Sequence, residues 1–284
     1  MRARLTSAAG AVGRRARRWG FVPGASRQRS WIDLLLVPWL AWIFDAINDL
    51  APVRQALAEG HGHQVLDFER SLHLASELSL NTWLASHHFL SQISVYWYEN
   101  VHAAVTFVLI GWLWWRRPDL LAPLRNALIA LNLIALAIFW SYPVAPPRML
   151  AGGYVDLVQV VHHAAPWPLG ATAAESNQLA AFPSLHIAWA VWSSVVLWRL
   201  SRRTWVRALA LAYPLVTMFS VMATANHWLA DGVLGAAITL VCLPLGSRLR
   251  LRRAVPVAAA VGAAPAPAPV GAEASGPGSA SASR

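Results

Sequence analysis

The chain has 284 residues, of which 57% are hydrophobic and 13% charged, with a formal net charge of +10. A soluble globular domain carries about 25% charged residues, so this composition excludes an ordinary water-soluble enzyme and points to a surface that largely faces lipid. Every one of the 23 basic residues is arginine and they stand in short runs between apolar stretches, which argues for membrane topology and against nucleic-acid binding.

Residues 1–30, rich in Arg, Ala and Gly, read as a cytoplasmic basic arm at an anionic membrane surface. Apolar runs long enough to cross a hydrocarbon core of about 30 Å then recur. They cover 31–48, 93–115, 124–142, 182–200, 205–222 and 228–245. The first is followed by no small-residue cleavage site and reads as a retained helix. Between the first two, residues 49–91 are polar enough to lie outside the bilayer core. Their segment DFERSLHLASEL has the look of an interfacial amphipathic helix, with Glu69 and Arg70 on a solvated or headgroup face. A Pro/Gly-rich loop covers 143–181, and the Ala/Pro/Gly/Ser-rich tail 254–284 reads as disordered and cytoplasmic. The fold class is therefore all-α, a polytopic membrane bundle of about six spans over 31–253.

Arginine fixes the orientation. With both termini inside, 20 of the 23 arginines fall on the cytoplasmic side, and only Arg54, Arg70 and Arg148 fall outside. The same topology puts all ten histidines in outer loops or the outer parts of spans. The expected location is the plasma membrane, with the histidines on the extracytoplasmic side.

Three short segments meet that face. In the third, Asn226-His227-Trp228-Leu229-Ala230-Asp231, His227 and Asp231 are four apart and share one face of a helix. A carboxylate there prepares an imidazole as nucleophile or base; alone, the pattern fits a structural ion pair as well. In the second, Phe182-Pro183-Ser184-Leu185-His186, Pro183 suits the first turn of a helix. Outward N–H groups of Ser184, Leu185 and His186, with the Ser184 hydroxyl as a further donor, would make an anion site. His186 could protonate a leaving oxygen. The first segment, Tyr142-Pro143-Val144-Ala145-Pro146-Pro147-Arg148, supplies a guanidinium suited to phosphate. Together the three read as a phosphate site with nucleophile, acid and clamp, and with no convincing metal cluster and no cofactor.

PPR, then FPSLH, then H-x-x-x-D resembles the type 2 phosphatidic acid phosphatase (PAP2) superfamily, and most of all its inositolphosphotransferase branch, over roughly residues 90–250 and more loosely over 60–90, where DFERSLHLASE resembles the branch's pre-span segment. The resemblance implies His227 as the phosphoryl-accepting nucleophile, Asp231 as its orienting group, His186 as general acid, and Ser184 and Arg148 as phosphate ligands. Three positions depart from the general phosphatase pattern. Ser141 stands where that pattern has Lys, Leu185 where it has Gly, and Val221 where it has Arg; the branch tolerates all three. His102, Tyr142 and Asn226 are further candidates for substrate binding. Tyr98, Glu99 and His102 lie on neighbouring turns within the second span, where ionisable groups are functional candidates by default. His61-x-His63 and His87-His88 lack acidic or Cys partners for a metal, and His162-His163 reads as plain loop. The implied substrate is a phospholipid or polyprenyl (di)phosphate, met in a membrane of lipids and without nucleic acid. The competing class is a transporter or a headgroup-binding protein with a degenerate site; its signature would be inverted repeats with polar groups at mid-membrane.

Overall fold

The computed structural model describes residues 54–164, 179 and 181–248, together with Leu35. The basic arm, almost all of the first expected span, and the tail lie outside the described residues. What is described is all-helical: α1 (Gln55–Ser71), α2 (Glu77–Ala85), α3 (His88–Tyr96), α4 (His102–Arg116), α5 (Pro118–Ser141), α6 (Leu157–Ala164), α7 (Leu185–Leu200), α8 (Thr204–Ala223) and α9 (Leu229–Arg248). A π-helical turn, Trp97–Val101, joins α3 to α4 without a break, so the chain is helical from His88 to Arg116. A 3₁₀ turn occupies Pro147–Met149.

Three of these helices, α5, α8 and α9, are long and apolar enough to cross a membrane; α7 is a shorter apolar helix. In α5, α8 and α9 only 39%, 33% and 39% of the apolar window is buried inside the protein. The remainder, including Leu133, Leu209, Leu215, Leu240 and Val241, is exposed. Exposed aliphatic side chains over most of a helix circumference suit a lipid solvent. Boundaries shift by a few residues from the sequence expectation. Pro118 opens α5 six residues before the expected start of that span, because proline is tolerated at a first helical position and Arg117 pairs with Asp119 at 2.9 Å there. Pro123, Pro214 and Pro244 all lie inside helices, as membrane spans tolerate.

The centre of the bundle is α7, packed against α4, α5, α8 and α9. Trp192 is fully buried there and donates its indole N–H to the Leu124 carbonyl at 2.9 Å. Cys242, the chain's one cysteine, sits in the same core. Close approach between α7 and α9 depends on a missing side chain: a Cβ on Gly235 would collide with the Ser184 carbonyl oxygen. Thr239 then bonds across to the Ala188 carbonyl at 3.0 Å. This is the small-residue packing by which membrane helices associate.

Two regions differ from the sequence expectation. DFERSLHLASEL is not one interfacial helix. It is broken at 72–76, where His73 takes φ 58°, into the end of α1 and the start of α2. The 143–181 loop is partly structured by the 3₁₀ turn and α6. The end of the bundle where α5 and α8 finish and α7 and α9 begin gathers the motif residues. The arginines at 116–117, 199–207 and 248 mark the other helix ends.

Candidate active site

His227 lies in the turn between α8 and α9. The C-terminus of α8 is closed tightly there: the Asn226 and His227 N–H groups both reach the Val221 carbonyl, at 3.1 and 3.2 Å, and Ala225 takes φ 56°. The imidazole is 5% exposed. Its Nδ1 stands 2.9 Å from the Ala181 carbonyl oxygen and 3.3 Å from Asp231 Oδ2. A carbonyl oxygen only accepts, so Nδ1 carries the proton and Nε2 bears the lone pair. Burial keeps this ring neutral, with its pKa pulled down to about 3; a neutral ring is the nucleophilic form.

The lone pair on His227 Nε2 faces His186 Nδ1 at 3.1 Å. His186 is the second residue of α7, and α7 starts at Leu185 because the Ser184 side chain caps it, accepting from the Ile187 N–H. Tyr98 stacks on His186 with ring centroids 4.5 Å apart, and His102 meets the same ring at 4.2 Å. Both come from the region of the π turn, and the His102 Nδ1–H donates to the Tyr98 carbonyl at 3.1 Å. The π turn thus presents two rings to one partner.

Arg148 reaches the site from the 3₁₀ turn. Its backbone N–H donates to the Ala225 carbonyl at 3.0 Å, its guanidinium bonds Asn226 Oδ1, and its Nε pairs with Asp156 at 3.3 Å. Asn226 is itself held by its amide donating to Thr224. The guanidinium is close enough to His227 for its charge to disfavour protonation of the ring. A guanidinium held at two points, beside a neutral imidazole with a directed lone pair, is an arrangement that can receive and activate a phosphate group.

Residues 63–245, more than half of the chain, match the family model described as PAP2 superfamily. The chain belongs to the PAP2 superfamily. No curated protein matches it. Among solved structures, the crystal structure of LpxE from Aquifex aeolicus is similar, with 18% identity and a TM-score of 0.47 over 62% of this chain and 94% of that one.

Of the candidate residues, His186, His227, Asp231, Ser184 and Arg148 come together, with Asn226 on Arg148 and His102 against His186. Ser184 and Tyr142 are placed otherwise than expected. The Ser184 N–H is not free for an anion: it donates to the Asp231 carbonyl at 3.1 Å, and the fully buried Ser184 hydroxyl serves as a helix cap. Leu185 and His186 N–H groups meet no acceptor among the described residues. Tyr142 turns away toward α1, donating to Gln64 at 3.0 Å and stacking on His61 at 3.8 Å. Of the positions where the sequence departs from the general phosphatase pattern, Ser141 bonds the Ala137 carbonyl of its own helix and Val221 is fully buried in the core.

Some partners were not legible. His162 is not plain loop but part of α6, bonded to Glu99 at 2.7 Å. Asp156 anchors Arg148. Asn81 ties α2 to the Val155 backbone and to the end of α8 at 2.7–3.0 Å. Glu69, expected on a solvated face, is 1% exposed and accepts the Ala230 N–H at 2.7 Å. The reason is that α9 brings unpaired N–H donors to α1, a partner 161 residues away that no local pattern encodes.

Proposed function

We propose that this protein is an integral membrane lipid-phosphate phosphatase or phosphotransferase acting through a phosphohistidine on His227. The observation that carries the reading is the forced tautomer of His227, with Nδ1–H spent on the Ala181 carbonyl and Nε2 aimed at His186. In the first step His227 Nε2 attacks phosphorus and the bond to the leaving oxygen breaks. His186, doubly protonated as the anion arrives, gives that oxygen its Nδ1 proton. In the second step His186 takes a proton from water or an alcohol, whose oxygen attacks phosphorus while the P–N bond breaks and frees His227. Asp231 offsets the charge that builds on the ring. Arg148 and the open N–H groups at the start of α7 hold the phosphate oxygens.

A phosphorus atom does not fit between two nitrogens 3.1 Å apart, so substrate entry separates the histidines. The site carries Arg148 but neither of the two further cations of the general phosphatase pattern. A reduced positive charge suits a phosphorus with a single negative charge, as in a diester or an inner diphosphate unit. That supports the inositolphosphotransferase branch and transfer to an alcohol over hydrolysis of a dianionic monoester. The arginine distribution supports an extracytoplasmic site with both termini inside.

Purified protein incubated with phosphatidic acid, polyprenyl diphosphates and phosphatidylinositol, with and without polyol or lipid alcohol acceptors, tests the reading by product identification. Turnover with an acid-labile phosphoprotein is the expected result. His227→Ala should abolish both, and lipid-phosphate turnover surviving in His227→Ala would overturn the mechanism.

A further inference from the structure

Behind the nucleophile lie two buried carboxylates that the phosphoryl chemistry does not touch. Glu69, near the end of α1, accepts the Ala230 N–H at 2.7 Å; Glu77, at the start of α2, accepts the Leu229 N–H at 3.0 Å. Asp231 accepts the Trp228 N–H at 2.9 Å. The three N–H groups that follow His227 are therefore each taken by a carboxylate, and Glu69, Glu77 and Asp231 are 1%, 0% and 0% exposed. The opening of a helix is the place where donors lack partners and where anions are drawn. In α9 that place is filled by the protein's own side chains, so a phosphate must use the opening of α7 instead.

One hydrogen bond of this kind needs only a serine or an asparagine. Burying a full negative charge is costly unless it is paired, and three carboxylates share this pocket. Glu69 Oε2, Glu77 Oε2 and Asp231 Oδ1 have no partner among the described residues. Nearby arginines are committed elsewhere: Arg70 leans to Asp67 in solvent, and Arg148 holds Asn226 and Asp156. Glu69 and Glu77 are within hydrogen-bonding reach of one another, so a single proton held between them would satisfy two of these three oxygens and remove one charge. Burial, with Glu77 and Asp231 as neighbours, pushes Glu69 up to about 8.

We infer that Glu69 and Glu77 are positioning residues of the His227–Asp231 unit, a carboxylate pair sharing one proton that clamps the first turn of α9 and so fixes the angle at which His227 presents its lone pair. This rests on the phosphohistidine reading above. The titratable and charged groups facing the pair are Asp231 on α9, Tyr154 ahead of α6 and Arg70 on α1, with His227 beyond Asp231.

The test is kcat and KM of the full-length protein in proteoliposomes across pH 5–10, with phosphatidic acid, a polyprenyl diphosphate and phosphatidylinositol each as substrate. Glu77→Leu should lower kcat about ten- to a hundredfold with KM within about threefold, the cost of misplacing a nucleophile. Glu77→Gln should recover most of that loss, because its amide oxygen still accepts the Leu229 N–H and its amide N–H stands in for the shared proton. Wild-type kcat should decline above about pH 8, as the pair loses its proton, and Glu77→Gln or Glu69→Gln should move that decline upward. Glu77→Leu with wild-type kcat, a change confined to KM, Gln no better than Leu, or an unmoved alkaline decline would each overturn the inference. If Glu77→Leu does not fold, the two Gln variants decide through the alkaline decline. A wild type that releases or transfers no phosphate overturns the reading of the site and this inference with it. Turnover that is indifferent to the Glu77 and Glu69 variants overturns this inference alone.

Discussion

Two nitrogens of one ring divide the labour at His227, and each has a testable consequence. Nδ1 is held by a backbone carbonyl at 2.9 Å and by Asp231 at a longer 3.3 Å. The carbonyl therefore keeps the tautomer even without the carboxylate, and in the proposed mechanism Asp231 mainly balances the charge that appears when Nε2 bonds to phosphorus. Asp231→Asn should then lower kcat by about 10²-fold, less than the ~10⁴-fold seen where an aspartate alone sets the tautomer. A steady-state comparison of the two proteins measures it. Asn226→Ala releases one anchor of Arg148 and should raise KM for a lipid phosphate about tenfold with a smaller effect on kcat.

Two buried groups set opposite pH slopes on stability. Glu69 is raised from an ordinary 4.5 to about 8, so its favourable contribution is complete below pH 4.5 and is lost as pH rises through 8. His227 is lowered from 6.5 to about 3, so its contribution is complete above 6.5 and is lost as pH falls through 3. Between 4.5 and 6.5 the two slopes cancel. Thermal unfolding in detergent should show a plateau across that window and a fall on either side. Glu69→Gln should leave the His227 slope uncancelled, so that stability rises with pH up to about 6.5 and stays level above it. At this scale the sequence was informative where chemistry is local. H-x-x-x-D, FPSLH and PPR each name their own residues by spacing. Glu69, Glu77 and Asp156 were not legible, because each is defined by a backbone or side-chain partner from a distant segment, and an isolated Glu on a polar stretch reads as solvated.

Among the elements, the π turn at Trp97–Val101 has the most direct bearing on the site. A π turn adds one residue to an otherwise α-helical run. Tyr98, within this turn, and His102, directly after it, both meet the His186 ring. Tyr98→Ala removes one of the two rings and should lower kcat, while circular dichroism should show helix content preserved. Periodicity places a helix over this region but not the extra residue, since i→i+5 bonding leaves no mark in an apolar run. Gly235 shows the opposite case. An Asp-Gly pair followed by Gly235 on an apolar helix already signals close packing, and the Ser184 carbonyl is what it packs against. Gly235→Leu should push α9 from α7 and lower thermal stability by about 1–3 kcal/mol, as overpacking does.

In the molecule as a whole, the helix ends sort into a motif face and an arginine face. The proposed topology follows if arginines stay inside. A cysteine placed at Gly152, which is exposed near Arg148, should react with an impermeant maleimide in intact cells, and one placed at Arg202 should react only after permeabilisation. The reverse pattern would overturn the orientation. These experiments need a silent background, and the native thiol supplies it: Cys242 is buried against α5 and α7. With a single cysteine in 284 residues, the chain cannot form an internal disulfide. Packing, hydrogen bonds and ion pairs hold the described bundle together, and no crosslink within the chain makes its stability answer to the redox state of the compartment on either side of the membrane.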